Sequence, residues 1–322
     1  MTRELPRDLG ERWFWHMRQG DFTAAWRLSD SVLQARRGLS CDHLPRHLQW
    51  VWDGRPLQNQ RVLIRCYHGL GDTIQFIRYA PMVKALGSRV RVMAQLELLP
   101  LLSTVRGIDA LAPLETTVAK RDYDVDVEVM ELPHVFRSTL NTLPAEIPYI
   151  RVPPAPRPQD GSLTVGFVWA AGPWDHARSI PFSEIQPLAK IPGISVFGLQ
   201  RGAEAAEAMG FGTDIGTDDV LVAARLIRSL DLIISVDSMP AHLAGALGVP
   251  VWTLLHKEAD WRWMEEREDS PWYPTMRLFR QADTGSWRPV IAAVAVELAK
   301  LSSQRRNQRT PLNQWPASKP LG

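Results

Sequence analysis

Residues Arg61–Asp72 read RVLIRCYHGLGD, and TIQFIRYAPMVKAL follows at residues 73–86. This pattern predicts a buried strand, a glycine turn and a helix over 73–86. In α/β proteins, the loop between such elements carries ligand-contacting groups because it is exposed while the elements behind it are rigid. Asp72 therefore lies where a catalytic carboxylate could act. The alternative is that Asp72 only caps the helix.

Strand and helix patterns alternate over two stretches, one on each side of a proline-rich segment at 144–162. Such alternation predicts an α/β fold with two parallel-sheet, Rossmann-like domains that face each other across a cleft. We predict a helical N-terminal segment at 1–56, an N-terminal domain at 57–150, a proline-rich linker at 151–161, a C-terminal domain at 162–302 and a disordered tail at 303–322.

The N-terminal segment has helical spacing over residues 11–38, around a Gly20-Asp21 turn. This predicts a short helical hairpin that is similar to one tetratricopeptide unit. A single unit cannot bury its own apolar face. The hairpin therefore packs on the body of the chain or on a protein partner.

Composition excludes several functional classes. The 322 residues carry a formal net charge of only +2, which argues against nucleic acid as a partner. Cys41 and Cys66 are too few for a disulfide framework or a zinc site, and this suits a reducing compartment. Residues 1–19 carry charges where a signal peptide needs an apolar core, and no apolar run is long enough for a transmembrane segment. We expect a cytoplasmic protein.

A second group of strand ends lies in the C-terminal half. DLIISVD at 231–237 predicts a strand, and Ser238 begins a helix with His242 in its first turn. Free amides at a helix N-terminus favour anions, so a pyrophosphate could bind there. Alternatively, Asp237 and Ser238 cap the helix and His242 belongs to the core. Trp169 and the pair Gln200-Arg201 also follow predicted strands and should open onto the same edge.

Two further segments have competing interpretations. The acidic run at 122–126, DYDVD, has the spacing of a metal-binding pair, but the alternation of Val125, Val127 and Val129 with acidic residues predicts a strand whose wet face includes Glu128. We therefore predict no metal site. The Trp-rich segment at 260–280 either stacks on a ligand or packs the junction between domains, and we favour packing, with Arg262 on a solvated or ion-paired rim.

Several motifs together resemble bacterial heptosyltransferase-like glycosyltransferases of the family 9 type. The likeness is to the branch in which the transferase follows tetratricopeptide units along the chain. The resemblance covers roughly residues 10–300 and rests on HGLGDTIQFIRYAPMV (68–83), HARSIPF (176–182), SLDLIISVDSMPAHLAGALGVPVWTLL (229–255) and DWRWMEEREDSPWYPTMRLFRQ (260–281). It implies the GT-B fold, with a nucleotide-sugar donor held mainly by the second domain.

The resemblance also implies roles for individual residues. Asp72 matches a general base that deprotonates the acceptor hydroxyl, and Arg178 matches a basic residue near the donor phosphates. The implied donor-binding residues are Trp169, Arg178, Gln200, Arg201, Asp237, Ser238, Met239 and His242. The implied acceptor side comprises His68, Gly69, Gly71 and Gln75.

These features predict a metal-independent, inverting glycosyltransferase that needs no cofactor beyond its nucleotide-sugar co-substrate. Its acceptor would be a glycan, a lipid-linked glycan or a protein. The alternative is a degenerate transferase-like module that binds a nucleotide, a glycan or a protein without turnover. The short hairpin and the donor loop favour this alternative, because Ser238, Met239 and Pro240 depart from the family pattern. The retained residues of the pattern oppose it: Asp72, Arg178, Asp237 and His242.

Overall fold

Two separate parallel β-sheets organise the chain, as the strand and helix alternation predicts. The structure is a computed structural model that describes residues 8–41, 43–45, 49–114, 122–156, 161–172, 175–208 and 210–309. Parts of the predicted N-terminal segment and linker, residues 1–7 and 157–160, lie outside this description.

The N-terminal sheet has four strands in the order β3-β2-β1-β4. All of its paired strands are parallel, and Arg65 at the end of β1 lies beside Glu128 at the end of β4. The loops that follow β1 and β4 therefore leave the sheet at the same edge. The strands are β1 (Arg61–Arg65), β2 (Arg89–Ala94), β3 (Ala110–Pro113) and β4 (Val125–Glu128).

The helix predicted over 73–86 is interrupted. It begins earlier than predicted as α3 (Leu70–Phe76), tightens into a 3₁₀ turn at Ile77–Tyr79 and resumes as α4 (Ala80–Ala85). Pro81 lies in the first turn of α4. Because proline has no amide hydrogen and crowds the preceding turn, it is tolerated at a helix start but not inside a helix. Two single-turn helices, α5 (Leu99–Leu102) and α6 (Leu132–Val135), complete this unit.

The C-terminal sheet has six strands in the order β10-β9-β8-β5-β6-β7, and all of its paired strands are parallel. The strands are β5 (Leu163–Val168), β6 (Ile194–Gly198), β7 (Thr213–Asp214), β8 (Leu232–Val236), β9 (Val251–Leu255) and β10 (Met276–Arg280). The helices are α7 (Phe182–Ile185), α8 (Val220–Arg228), α9 (Met239–Ala246) and α10 (Arg288–Arg309).

The last helix corrects the predicted tail. α10 passes the predicted domain end at 302, so residues 303–309 are helical rather than disordered. Ser302 Oγ and Arg306 Nη1 both donate to the carbonyl of Pro192, at 2.7 and 3.1 Å, and these bonds fix the helix to its own unit. The remainder of the predicted tail, 310–322, lies outside the described residues. None of the described helices is long and apolar enough to cross a lipid bilayer.

The predicted N-terminal hairpin forms and packs on the body of the chain. It consists of α1 (Leu9–Arg18) and α2 (Phe22–Arg36). Trp26 Nε1 donates to the carbonyl of Ser138 at 2.7 Å, and the ring of Trp13 lies 5.5 Å from that of Trp261. The apolar face that a single unit cannot bury alone is therefore covered by the same chain.

The Trp-rich segment packs the junction, as favoured from the sequence. The ring of Phe76 in α3 lies 6.2 Å from Trp261 and 5.5 Å from Trp272. Phe22 of the hairpin stacks on Trp272 at 6.2 Å. Of the two alternatives for Arg262, the ion-paired one holds, because the side chain pairs with Asp72 and Asp260 and is only 7% exposed.

Candidate active site

A cavity of about 750 Å³ lies between the two α/β units, at the edge where strands of both sheets end. It brings together nine of the residues predicted from the sequence: His68, Gly69, Gly71, Asp72, Arg178, Asp237, Ser238, Met239 and His242. The cavity is therefore the candidate active site.

Asp72 lies on the N-terminal wall, in the first turn of α3. Its Oδ2 accepts from the amide of Gly69 at 3.0 Å, which is a helix-capping bond. Its Oδ1 lies 2.7 Å from Nη2 of Arg262. The Asp72 side chain remains 21% exposed and lines the cavity. The two interpretations of Asp72 are thus compatible, because a capping carboxylate also faces the cavity.

Arg262 is the main residue that the sequence reasoning did not place in the site. Its guanidinium contacts Asp72, donates from Nε to Asp260 at 2.8 Å and donates from Nη1 to Gln75 Oε1 at 2.9 Å. Burial alone would lower the pKa of Arg262, but the carboxylates of Asp260, Asp72 and Asp237 outweigh it and raise the pKa above its ordinary value. Gln75 is buried and does not line the cavity, and its hydrogen bond to Arg262 connects it to the site.

The donor-loop residues lie on the opposite wall, at the start of α9. Nη1 of Arg178 donates to the backbone carbonyl of Asp237 at 2.9 Å, so Arg178 and the end of β8 are held together. Burial raises the pKa of the Asp237 carboxyl, and the charge of Arg262 opposes this rise. Ser238 precedes the helix, and its hydroxyl lies 3.2 Å from the carbonyl of Val236.

His242 is a buried histidine that also lines the cavity. Its Nδ1 lies 3.0 Å from the hydroxyl of Tyr273, and its ring stacks on Trp263 at 5.3 Å. Burial, reinforced by nearby arginines, lowers the pKa of His242 well below its usual value, so the ring is neutral near pH 7. When Nδ1 accepts a hydrogen bond from the Tyr273 hydroxyl, the proton of the neutral ring lies on Nε2. This Nε2 atom is 3.8 Å from Asp237 Oδ1. His242 can therefore donate one hydrogen bond but adds no charge.

Gly71 allows the two walls to meet. Helices α3 and α9 pack against each other. A β-carbon placed on Gly71 would lie 2.7 Å from Cδ2 of His242. A larger residue at this position requires one of the helices or the His242 ring to move.

Other predicted residues lie outside the cavity lining. The side chain of Trp169 is buried among aromatic rings, 5.0 Å from Phe182. Gln200 Oε1 accepts from the amides of Trp169 and Ala170 at 3.0 and 2.9 Å, which ties the end of β6 to the end of β5. Arg201 forms an ion pair with the exposed Asp218.

The cavity also contains residues that the sequence reasoning missed. His256 and Glu258 follow β9, and the strand-end rule that singled out Asp72 could have found them. Arg18 ends α1 of the hairpin, and no local pattern marks it. The remaining additions to the lining are Leu70, Met130, Gly172, Asp175, Asp260 and Arg262.

The acidic run at 122–126 leads into β4, and its carboxylates form ion pairs. Asp124 Oδ1 lies 2.7 Å from Arg61 Nη2, and Asp126 pairs with Arg65. Over the described ranges, no group of three His, Cys, Asp or Glu side chains is arranged to hold a metal ion. The predicted wet face is wrong at Glu128, which is 8% exposed because its Oε2 accepts from the Met130 amide at 2.7 Å and caps the turn after the strand.

Comparison with known proteins agrees with this architecture. Residues 216–308 match the family model described as glycosyltransferase family 9 (heptosyltransferase). Structural similarity extends to the glycosyl transferase family 9 protein of Veillonella parvula, with a TM-score of 0.59 and 10% identity over 79% of this chain and 99% of that one. The ADP-heptose lps heptosyltransferase II of E. coli has a TM-score of 0.55 and 16% identity over 76% of this chain and 99% of that one.

Two further relatives add context. The glycosyltransferase TibC of enterotoxigenic E. coli, described as dodecameric and iron-containing, has a TM-score of 0.54 and 14% identity over 79% of this chain and 78% of that one. Protein FlbA of Caulobacter vibrioides is 26% identical over 293 residues, which covers 77% of this chain and 48% of FlbA. The chain thus spans about half the length of this curated relative.

The two parallel-sheet units and the structural similarity define the GT-B fold. Within the C-terminal unit, the similarity of residues 216–308 to the glycosyltransferase family 9 model agrees with the resemblance that the sequence motifs carry. The fold confirms what the sequence motifs predicted.

Proposed function

We propose that this protein transfers a sugar from a nucleotide diphosphate sugar to a hydroxyl group of an acceptor, with inversion at the anomeric carbon. The observation that supports this proposal is the placement of the Asp72 carboxylate in one cavity with Arg178 and the start of α9. A base on one wall and an anion-binding group on the other are what direct displacement requires.

In the proposed reaction, Asp72 removes the proton from the acceptor hydroxyl as its oxygen forms a bond to the anomeric carbon. The bond from that carbon to the phosphate oxygen breaks, and a nucleoside diphosphate leaves. Arg178 offsets the charge that develops on the phosphates. His242 donates one neutral hydrogen bond, and Asp237 orients the sugar hydroxyls.

The comparison supports a choice of donor for the first experiment. ADP-heptose is named for the E. coli heptosyltransferase II and is the first donor to test. The acceptor is a glycan, a lipid-linked glycan or a protein hydroxyl.

We further propose that transfer requires no metal ion. One structurally similar protein, TibC, is described as iron-containing. In this chain, Asp124 and Asp126 of the acidic run are committed to arginines. Dialysis against EDTA should therefore leave most of the turnover intact. Loss of more than nine-tenths of the turnover, restored by added Fe²⁺, would contradict this proposal.

The central test compares wild type with Asp72→Asn. Calorimetry with ADP and ADP-heptose measures donor binding, and ADP release in the presence of acceptor panels measures turnover. We expect Asp72→Asn to bind the donor and to lose about 100-fold or more of the turnover, the usual contribution of a general base. Asp269→Asn is the matched control, because Asp269 pairs only at the surface with Arg267 at 2.6 Å.

Three outcomes separate the possibilities. Wild-type turnover in Asp72→Asn would reject Asp72 as the base. Donor binding without release for every acceptor would support the non-catalytic binding module. Absence of both binding and release would reject ADP-heptose as the donor, and the same result for a panel of other nucleotide sugars would reject the nucleotide-sugar assignment.

A further inference from the structure

Arg262 connects the two units of the protein at the candidate base. It belongs to the C-terminal unit together with Asp260, whereas its other two partners, Asp72 and Gln75, lie on α3 of the N-terminal unit. Its Nε, Nη1 and Nη2 atoms each have a different partner at 2.7–2.9 Å. Arginine is suited to this arrangement because its planar fork presents donors in fixed directions.

The backbone around Arg262 is also fixed. Trp272 Nε1 donates to the Arg262 carbonyl at 3.1 Å, and Arg280 Nη2 donates to the Trp263 carbonyl at 3.0 Å. Met264, which ends this turn, has a φ of 51°, a conformation that favours glycine. Such conformations persist where the surrounding structure holds them, and they cluster at functional sites.

Asp72 keeps acceptor capacity in this arrangement. Arg262 contacts Oδ1, and the Gly69 amide contacts Oδ2. Because a carboxylate has about four lone-pair positions, others remain for a substrate hydroxyl on the exposed side.

We propose that Arg262 is the positioning residue of the base. It orients the Asp72 carboxylate toward the cavity across the cleft, so that a competent base exists only when the two units are docked. This proposal rests on the proposed function, because it assigns Arg262 a role through Asp72.

The test uses Arg262→Gln and Arg262→Lys, with Arg267→Gln as the matched control from the same segment, where the side chain pairs at the surface with Asp269. We expect Arg262→Gln to lower kcat about 100-fold with little change in donor affinity, since misplacement by about 1 Å can cost that much. Arg262→Lys keeps the charge but not the fork, so it should recover only part of kcat. Arg267→Gln should match wild type.

A cycle with Asp72→Asn distinguishes positioning from general damage. If Arg262 acts through Asp72, Arg262→Gln should lower turnover no further in the Asp72→Asn background. An equal further loss in that background would overturn the proposal, as would wild-type kcat in Arg262→Gln. Should Arg262→Gln fail to fold by circular dichroism, Arg262→Lys in the same two backgrounds decides between these outcomes.

Failure of the proposed function has a different signature. If the wild type shows no turnover, thermal stabilities still test the contact between Asp72 and Arg262. The four proteins to compare are wild type, Asp72→Asn, Arg262→Gln and the double variant. We expect their effects on the unfolding equilibrium to be coupled by about ten-fold. Additive effects would refute the contact on which the positioning role depends.

Discussion

Replacement of Gly71 by alanine tests whether the two walls of the cavity meet as described. A β-carbon at this position would lie 2.7 Å from Cδ2 and 3.4 Å from Nε2 of His242. Carbon atoms in contact are normally about 3.5–4.0 Å apart, so a helix or the ring must move by about 1 Å. The ring has little freedom, because it stacks on Trp263 and hydrogen bonds to Tyr273.

The expected magnitude combines two opposing effects. Overpacking costs about 1–3 kcal/mol, and alanine in place of glycine in a helix recovers about 0.5–1 kcal/mol. We therefore expect a net loss of about 1–2 kcal/mol, which lowers the melting temperature by several degrees. The effect on turnover should be larger, up to about 100-fold, because Asp72 follows Gly71 directly and moves with α3.

Thermal unfolding and ADP release measure the two effects. Gly198→Ala is the control, because its β-carbon would find its nearest neighbours at an ordinary 3.9 Å. In a His242→Ala background, Gly71→Ala should no longer lower the melting temperature, since the ring it would strike is gone. Wild-type turnover together with a wild-type melting temperature for Gly71→Ala would refute the close packing of α3 on α9.

Two other substitutions test separate parts of the site. Arg178→Gln should weaken ADP binding about 10- to 100-fold, because a hydrogen bond to a charged group contributes about that much to affinity. An unchanged Kd for ADP in calorimetry would contradict the proposal that Arg178 binds the phosphates. Burial, with Glu131 and Asp72 nearby, raises the pKa of Glu128 to about 8 from an ordinary 4.5, so the folded protein resists an ionisation that the unfolded chain undergoes. As the pH rises from about 5 to about 8, Glu128→Gln should therefore gain stability over wild type by up to about 1.4 kcal/mol per pH unit. A difference in urea-unfolding free energy between the two proteins that is the same at about pH 5.5 and pH 7.5 would contradict this.

The sequence predicted the fold well where local patterns determine structure. The strands β1, β5 and β8 are short apolar runs followed by turns or helices, and their length and flanking residues indicate buried parallel strands. The predicted helix at 73–86 differs because Pro81 divides it. The strand β7 has only two residues, too few for a periodic signal.

The site was predictable only in part. Residues at the ends of strands, such as Asp72 and Asp237, could be found because the ends of parallel strands collect at one edge. Arg262 could not be found this way, because it follows no strand and its partners lie far along the chain, with 187 positions separating it from Gln75. The rule also includes residues such as Gln200, whose side chain satisfies buried amides instead of facing the cavity.

In the Trp-rich segment, the packing of the aromatic rings and the ion pairs of Arg262 depend on each other. Burial of a guanidinium is costly unless charged partners and hydrogen bonds compensate for lost water. At Arg262, the rings of Trp261 and Phe76 exclude water, and Asp72 and Asp260 supply the compensating charge. Removal of Asp72 would thus remove the candidate base and also leave part of a buried charge uncompensated. A loss of turnover in Asp72→Ala therefore has two physical causes. Asp72→Asn also loses the charge, but it keeps an oxygen that can accept from Arg262, so it disturbs the arginine less than Asp72→Ala does.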